Sequence, residues 1–281
     1  MIFEGGGMRA GYTAGVVVTL LEEGVEFADV YGISAGAIHA ANYIARDAWR
    51  ARSSFMEFMA APGVSGWGGF LLGRGYFNAE YIYMKACLPG EPLPYNFQAF
   101  AENPSRIHVE AFERDTGKTV CWGKEDMPEM MDLMRRVRAS STMPLLMKPA
   151  EVDGRIYLDG GIGDSWGIPL AKAKADGYKK FFIVRTQKRE YRKPPDKHTF
   201  PTKALCGIHR NVAERMLARH IHYNAILDET DALEASGAAY VFCPRTMLVK
   251  NTTLDQGLLG ESYRLGYEQA QSELAAWRDF L

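Results

Sequence analysis

The sequence "DVYGISAGAIHAANYIARD", residues 29–47, places Ser34 between two glycines directly after a short apolar stretch. Its first five residues predict a β-strand, and the residues from Ala35 onward predict a helix. A sharp strand-to-helix turn of the GxSxG type lifts a serine hydroxyl clear of the sheet, and Gly32 and Gly36 would accept the close backbone contacts. The helix amides face the same point, so Ser34 is placed like a nucleophile. A helix N-cap is the alternative role for this serine.

Strands and helices alternate along the rest of the chain. Strands are predicted at residues 1–4, 29–33, 181–186 and 238–244, and on both sides of the turns at 115–117 and 153–154. Helices are predicted at 12–23, 35–46, 47–59, from 78, at 126–139, over most of 203–236 and over the last twenty residues. This order predicts an α/β protein with three layers, α/β/α, around a mostly parallel sheet. We expect a first domain at 1–245 and a helical extension at 246–281 that packs on it.

The composition limits the class of protein. With 47% hydrophobic residues among 281, the chain has enough apolar material for a folded core. A formal net charge of −1 gives no general attraction for nucleic acid, so no nucleic-acid partner is expected. The four scattered cysteines predict free thiols in a reducing cytoplasm. No signal peptide, membrane-spanning segment, metal site or cofactor is indicated, and oligomeric state is left open.

The glycine-rich segment "EGGGMRAG", residues 4–11, follows the first predicted strand. Successive backbone amides there could bind an anion. The alternative is a dinucleotide fingerprint, because Gly5, Gly7 and Ala10 satisfy GxGxxA. That interpretation requires an acidic residue at the end of the second strand, where this chain has "YGISAG" instead. The pattern therefore favours an oxyanion hole over a nucleotide site.

A serine nucleophile requires a base. Asp159 lies at the end of a predicted strand before Gly160 and Gly161, and is the preferred candidate. Several histidines follow it in the chain order of an α/β-hydrolase triad: His198, His209, His220 and His222. However, the elbow of that fold comes after several strands, whereas Ser34 follows the second. Asp164 is a rival base that is explained more simply as a turn or N-cap residue.

Four motifs carry a family resemblance: "GGGMR" at 5–9, "GISAG" at 32–36, "SSTMP" at 140–144 and "DGG" at 159–161. In order and spacing, over almost the whole chain, they resemble the compact bacterial members of the patatin-like phospholipase family. The resemblance implies a patatin-like fold and a dyad in which Ser34 attacks an ester carbonyl and Asp159 acts as base. It also implies an oxyanion hole of backbone amides and a loop-fixing basic residue: Gly5, Gly6, Gly7 and Arg9. Ala10 departs from the family, which usually has glycine there.

The implied function is a serine acyl hydrolase that cleaves fatty-acyl esters of lipids. Because an aspartate is a weak base, Asp159 requires apolar neighbours, which Ile156, Leu158 and Ile162 could provide. Without an imidazole there is no evident acid for an amine leaving group, so esters are favoured over amides. The alternative is a lipid-binding or regulatory protein that keeps the fold and turns over little.

The sequence says less about what meets the substrate. The glycine-rich stretch 61–75 predicts a loop whose apolar side chains, Trp67, Phe70, Leu71 and Leu72, could line an acyl pocket, touch a bilayer or pack on the core. The basic stretch 185–197 could meet phospholipid head groups, but its acidic residues favour a solvated loop. A lipid or acyl-ester substrate and a peripheral membrane contact are therefore the expected partners.

Overall fold

A computed structural model describes residues 1–195 and 209–281. The strands in these residues form one eight-stranded sheet. They are β1 Ile2–Phe3, β2 Asp29–Ile33, β3 Arg106–Glu113, β4 Thr119–Trp122, β5 Ala150–Val152, β6 Arg155–Asp159, β7 Phe181–Val184 and β8 Ala239–Phe242. The α-helices are α1 Ala10–Glu22, α2 Ala35–Ile44, α3 Ala48–Ser53, α4 Trp67–Leu71, α5 Ala79–Met84, α6 Phe97–Glu102, α7 Met130–Ser140, α8 Leu170–Ala175, α9 Arg210–Ala235 and α10 Gln256–Phe280.

The sheet is mostly parallel, as predicted. Its strands are hydrogen-bonded in the order β5-β6-β3-β2-β1-β7-β8, and β4 also pairs with β3. The pairs β3-β2, β2-β1, β1-β7 and β7-β8 are parallel. The two predicted hairpins, β3-β4 and β5-β6, are antiparallel, and so is the pair β3-β6. Strands joined by a tight turn are antiparallel, which explains the two hairpin pairs.

Two helical layers cover the two faces. Along β1, Phe3 belongs to the core cluster that contains α1, α2 and α10 side chains, whereas Ile2 belongs to the cluster beneath α8 and α9. In β7, Phe182 belongs to the first of these clusters and Ile183 belongs to the second. Since successive strand residues point to opposite faces, this alternation gives three layers with the sheet in the middle.

Residues of β3 bring the ends of two other strands together. Glu110 of β3 pairs with Ile33 of β2 on one edge and with Cys121 of β4 on the other. Ala111, the next residue, pairs with Asp159 of β6 and with β4. Because β4 occupies one edge at both positions, β2 and β6 must share the other edge. They run toward each other along it, so their carboxyl ends meet.

The structure departs from the predicted helices and loops at three places. The predicted helix at 126–139 begins only at Met130, after a short 3₁₀ turn, because Pro128 disfavours helical geometry at the residue before it. A left-handed Arg46, φ 54°, separates α2 from α3, which ends at Ser53 rather than near residue 59. The predicted loop 61–75 contains α4. Of the predicted helix at 203–236, residues 203–208 lie outside the described part of the chain.

Helices α1 and α10 lie in backbone contact. A Cβ on Gly15 would lie 2.3 Å from the nitrogen of Tyr267, and one on Gly266 would lie 1.9 Å from the carbonyl oxygen of Tyr12. The Tyr12 hydroxyl donates to Gln269 at 2.6 Å. The last helix therefore packs directly on the first, which itself follows the glycine-rich segment.

Candidate active site

Ser34 lies in a strained turn between β2 and α2. Its backbone has φ 58° and ψ −126°, in the positive-φ region that residues other than glycine rarely adopt. Ser34 occupies the N-cap position, but its side chain makes no capping hydrogen bond to α2. Strain of this kind costs on the order of 1–3 kcal/mol and is maintained by the surrounding packing. The hydroxyl is therefore free to interact with another group.

Close backbone packing explains both glycines of the GxSxG motif. A Cβ on Gly32 would lie 2.4 Å from the carbonyl oxygen of Gly36. A Cβ on Gly36 would lie 2.3 Å from the carbonyl oxygen of Phe3. A side chain at either position would collide with backbone atoms, so these residues let the turn press against β1.

Asp159 faces Ser34 from the end of β6. Its carboxylate accepts a hydrogen bond from the Gly161 amide at 2.7 Å, and the Ser34 side chain is close enough to that carboxylate to lower its pKa. A Cβ on Gly160 would lie 2.3 Å from the carbonyl oxygen of Glu110, so Gly160 lets the chain pass close to β3. Both predicted glycines after Asp159 thus have a geometric role.

Burial raises the pKa of the Asp159 carboxyl. The Ser34 side chain, the charge of Arg219 and the Gly161 amide act in the opposite direction. Leu158 and Ile162, two of the predicted apolar neighbours, are buried in one small cluster. Desolvation gives the carboxylate a greater affinity for a proton, which suits a general base.

Arg219, on α9, is a site residue that the sequence pattern did not indicate. A Cβ on Gly161 would lie 2.8 Å from Asp159 Oδ1 and 2.9 Å from Arg219 Nη2. The guanidinium is therefore close to the carboxylate, and its Nε is buried without a hydrogen-bond partner in the described residues. One arginine in a long helix gave no signal that could have identified it.

The "SSTMP" segment, residues 140–144, hydrogen-bonds to the backbone amides of both Ser34 and Asp159. Ser140 Oγ accepts a hydrogen bond from the Ser34 amide at 2.9 Å and donates one to the Glu110 carbonyl at 2.6 Å. The carbonyl of Thr142 accepts from the Asp159 amide at 2.7 Å. This segment therefore fixes the backbone on both sides of the Ser34–Asp159 pair, a role that its sequence did not reveal.

The glycine-rich loop lies against Ser34. A Cβ on Gly5 would lie 3.1 Å from Ser34 Cβ. The Gly5 amide donates to the Gly167 carbonyl at 3.0 Å, whereas the amides of Gly6 and Gly7 make no hydrogen bond to any residue in 1–195 or 209–281. Gly7 has φ 55° and lines the same pocket as Ser34. Of the three predicted oxyanion donors, Gly6 and Gly7 are thus the two with free amides.

Arg9 and Ala10, which follow the three glycines, are compatible with the conformation of the glycine-rich loop. The backbone amide of Arg9 donates to the Gly6 carbonyl at 3.3 Å, and its side-chain Nε is buried without a partner among the described residues. Ala10 begins α1 and packs in a small cluster with Ala35 and Phe55. The departure from glycine at Ala10 is therefore accommodated by apolar packing.

The rival bases lie elsewhere. The Asp164 side chain is 64% exposed and accepts a hydrogen bond from Arg215 at 2.6 Å. No histidine in the described residues hydrogen-bonds to Ser34 or Asp159: His220 bonds to a carbonyl of its own helix, and His222 stacks on a tryptophan. His198 lies outside the described residues.

A mainly apolar pocket of about 60 Å³ opens beside Ser34. Its walls include Ile38, Phe55, Phe58, Phe77, Met143 and Met147. Within residues 1–195 and 209–281 there is no group of three or more His, Cys, Asp or Glu side chains that could hold a metal ion. The site thus combines a serine, a buried carboxylate, free backbone amides and an apolar cavity.

A three-layer α/β/α protein with this pair of residues at the meeting point of two strands resembles the acyl hydrolases that use a serine elbow. The chain belongs to the patatin-like phospholipase family, whose model matches residues 1–172. A model described as a domain of unknown function (DUF6363) matches residues 209–281. The expected division at residue 245 stays a prediction.

Two further comparisons found similar proteins. The "Uncharacterized protein YjjU" of Escherichia coli (strain K12) is 25% identical over 197 residues, 66% of this chain and 51% of YjjU. The chain therefore spans about half the length of this curated relative. The crystal structure of VipD from Legionella pneumophila aligns with a TM-score of 0.52 at 11% identity, covering 98% of this chain and 66% of VipD. That second likeness supports the fold alone.

Proposed function

We propose that this protein is a serine acyl hydrolase, a carboxylic ester hydrolase that cleaves fatty-acyl esters of lipids. Family membership implies a lipid acyl hydrolase. The observation that carries the finer proposal is the meeting of the β2 and β6 ends, which brings the Ser34 side chain close enough to the buried Asp159 carboxylate to affect its pKa.

In the proposed mechanism, Ser34 Oγ attacks the ester carbonyl carbon while its proton moves to Asp159. The amides of Gly6 and Gly7 stabilise the oxyanion of the tetrahedral intermediate, and one such donor is typically worth about 3 kcal/mol. As that intermediate collapses, Asp159 returns the proton to the departing alcohol. A water molecule then attacks the acyl-serine while Asp159 takes one of its protons, and Asp159 returns that proton to Ser34 Oγ as the acid is released. Gly5 and Arg9 support the loop.

The direct test is hydrolysis of p-nitrophenyl acyl esters of increasing chain length. Ser34→Ala and Asp159→Asn should each lower kcat by at least about a thousandfold, and the double variant should be no worse than either, because residues that act as a unit are not additive. Asp164→Asn is the matched control, since that carboxylate is exposed and paired with Arg215. Equal rates in wild type and both single variants would refute the proposal. The alternative, a lipid-binding or regulatory protein, predicts that wild type binds lipid but hydrolyses little or no ester in this assay.

A lipid surface is the proposed setting for this activity. Trp67, Phe70, Leu71 and Leu72 are exposed rather than packed on the core, with Leu71 84% exposed. The Trp67 ring packs edge-on against Tyr76, whose neighbour Phe77 lines the pocket. An apolar surface this close to the pocket could rest on a bilayer.

We also propose that the protein acts at the cytoplasmic side of such a surface. The described cysteines, Cys87, Cys121 and Cys243, are free thiols, as a reducing compartment requires. No helix in residues 1–195 and 209–281 is both long enough and apolar enough to cross a bilayer. Binding to phosphatidylcholine vesicles tests the contact: Leu71→Asp should weaken vesicle binding while leaving hydrolysis of a dissolved short-chain ester unchanged.

A further inference from the structure

One charged side chain lines the otherwise mainly apolar pocket beside Ser34. Arg50, on α3, contributes to its wall together with Phe55, Phe58 and Leu93. Arg50 is only 6% exposed. A cation this deep in the pocket is not needed for the binding of a plain hydrocarbon chain.

Two nitrogens of the Arg50 guanidinium donate hydrogen bonds to uncharged groups. Its Nε donates to the Leu93 carbonyl at 3.3 Å, and its Nη1 donates to the side-chain oxygen of Asn42. The Arg50 guanidinium carbon also lies 4.9 Å from the centre of the Tyr95 ring. These contacts fix the position of the side chain without neutralising its charge.

No carboxylate of the described residues lies within 4.0 Å of the Arg50 guanidinium nitrogens. The Asp47 carboxylate lies farther from the guanidinium than this and affects it only through its charge. That carboxylate accepts a hydrogen bond from the Arg50 backbone amide. Nη2 donates no hydrogen bond to a described residue. Because a buried charge without an ionic partner is costly, an anionic group entering the pocket would gain a strong, charge-assisted interaction.

We propose that the pocket binds the acyl group of an ester whose far end carries a carboxylate, and that Arg50 holds this carboxylate. The inference rests on the proposed function, since it assigns the substrate class of the same site. The substrates would be half-esters of dicarboxylic acids.

The test compares two ester series. One contains the monoethyl esters of succinic, glutaric, adipic and suberic acids; the other contains ethyl esters of alkanoic acids with the same carbon numbers. For at least one length, wild type should show kcat/KM about 10- to 100-fold higher for the half-ester, the range that a charged hydrogen bond supplies. Arg50→Met should abolish or reverse this preference, and Arg50→Lys should retain part of it.

Arg52→Met is the matched control. This arginine lies on the same helix, but its side chain is 45% exposed and pairs with Glu57 at 3.0 Å. Its substitution should leave the preference for half-esters unchanged. An equal loss of preference in Arg50→Met and Arg52→Met would overturn the assignment of Arg50.

A second measurement requires no variant that could fail to fold. Free adipate and hexanoate, but not the uncharged hexanamide, should slow the labelling of wild-type Ser34 by a fluorophosphonate. A third substrate, the acetyl ester of 4-hydroxybutanoate, places the carboxylate on the alcohol side. A preference for that ester alone would overturn the assignment to the acyl group.

The outcomes separate this inference from the proposed function. If wild type hydrolyses alkanoate esters with no preference for half-esters, and adipate gives no protection, the Arg50 inference fails while the hydrolase survives. If no ester is cleaved and no fluorophosphonate reacts with Ser34, the proposed function fails first.

Discussion

Substitution of Arg219 by methionine removes a positive charge that acts on the Asp159 carboxylate. A Cβ atom built on Gly161 would lie 2.8 Å from Asp159 Oδ1 and 2.9 Å from Arg219 Nη2, so the two charged groups lie close to the same point. At a separation of about 5 Å and an effective dielectric constant of about 20, two unit charges interact by about 3 kcal/mol. Arg219 is half-buried, so solvent screens part of this interaction and about 1–3 kcal/mol remains.

The sign of the effect follows from the role of the base. Asp159 must be unprotonated to accept the proton of Ser34, so kcat/KM should rise with pH through the Asp159 pKa, which burial already raises. Arg219 opposes that shift, and its removal should raise the pKa further. On the acidic limb the variant should therefore lose about 10- to 100-fold in kcat/KM, while at high pH it approaches wild type.

The assay is the pH dependence of kcat/KM with one soluble p-nitrophenyl ester, for wild type, Arg219→Met and Arg215→Met. Arg215 lies one turn earlier on the same helix and pairs with the exposed Asp164, so its substitution should leave the profile in place. A profile that moves to lower pH in Arg219→Met, or by the same amount in both variants, would refute the electrostatic reasoning.

Three more predictions concern stability and positioning. Ser140→Ala removes the hydrogen bonds to the Ser34 amide and the Glu110 carbonyl and should cost about 2–4 kcal/mol in urea unfolding, together with a lower kcat. Burial raises the pKa of Glu110 from 4.5 to about 7, so ionisation of Glu110 increasingly destabilises the fold as pH rises through that range. Glu110→Gln should match the stability of wild type near pH 4 and exceed its free energy of unfolding by up to about 3 kcal/mol at pH 8. Gly36→Ala should cost at least about 1–3 kcal/mol because its Cβ meets backbone, whereas Gly68→Ala, with nothing within 4 Å, should be neutral in thermal unfolding.

Short-range chemistry made much of the fold predictable. The apolar stretch before Ser34 and the helix after it follow from local periodicity, and the turns at 115–117 and 153–154 carry their own signals. The structure confirms both hairpins and the strand-to-helix turn. The exposed α4 could not be separated from a loop, because its glycines weaken any periodic pattern.

The meeting of Ser34 and Asp159 depends on contacts between distant parts of the chain. It is set by the register in which β3 pairs with both β2 and β6, and no local pattern encodes that register. The same limit applies to Ser140 and to Arg219, which reach the site from separate helices. Arg50 resembled any helical arginine until its burial beside the pocket was evident.

The central claim is that Ser34 is a nucleophile activated by Asp159, and fluorophosphonate labelling followed by peptide mass spectrometry tests it most directly. The account predicts one label per chain on Ser34 in wild type, none in Ser34→Ala and much slower labelling in Asp159→Asn. An unlabelled wild type, a label on another residue, or equal labelling rates in wild type and Asp159→Asn would contradict it.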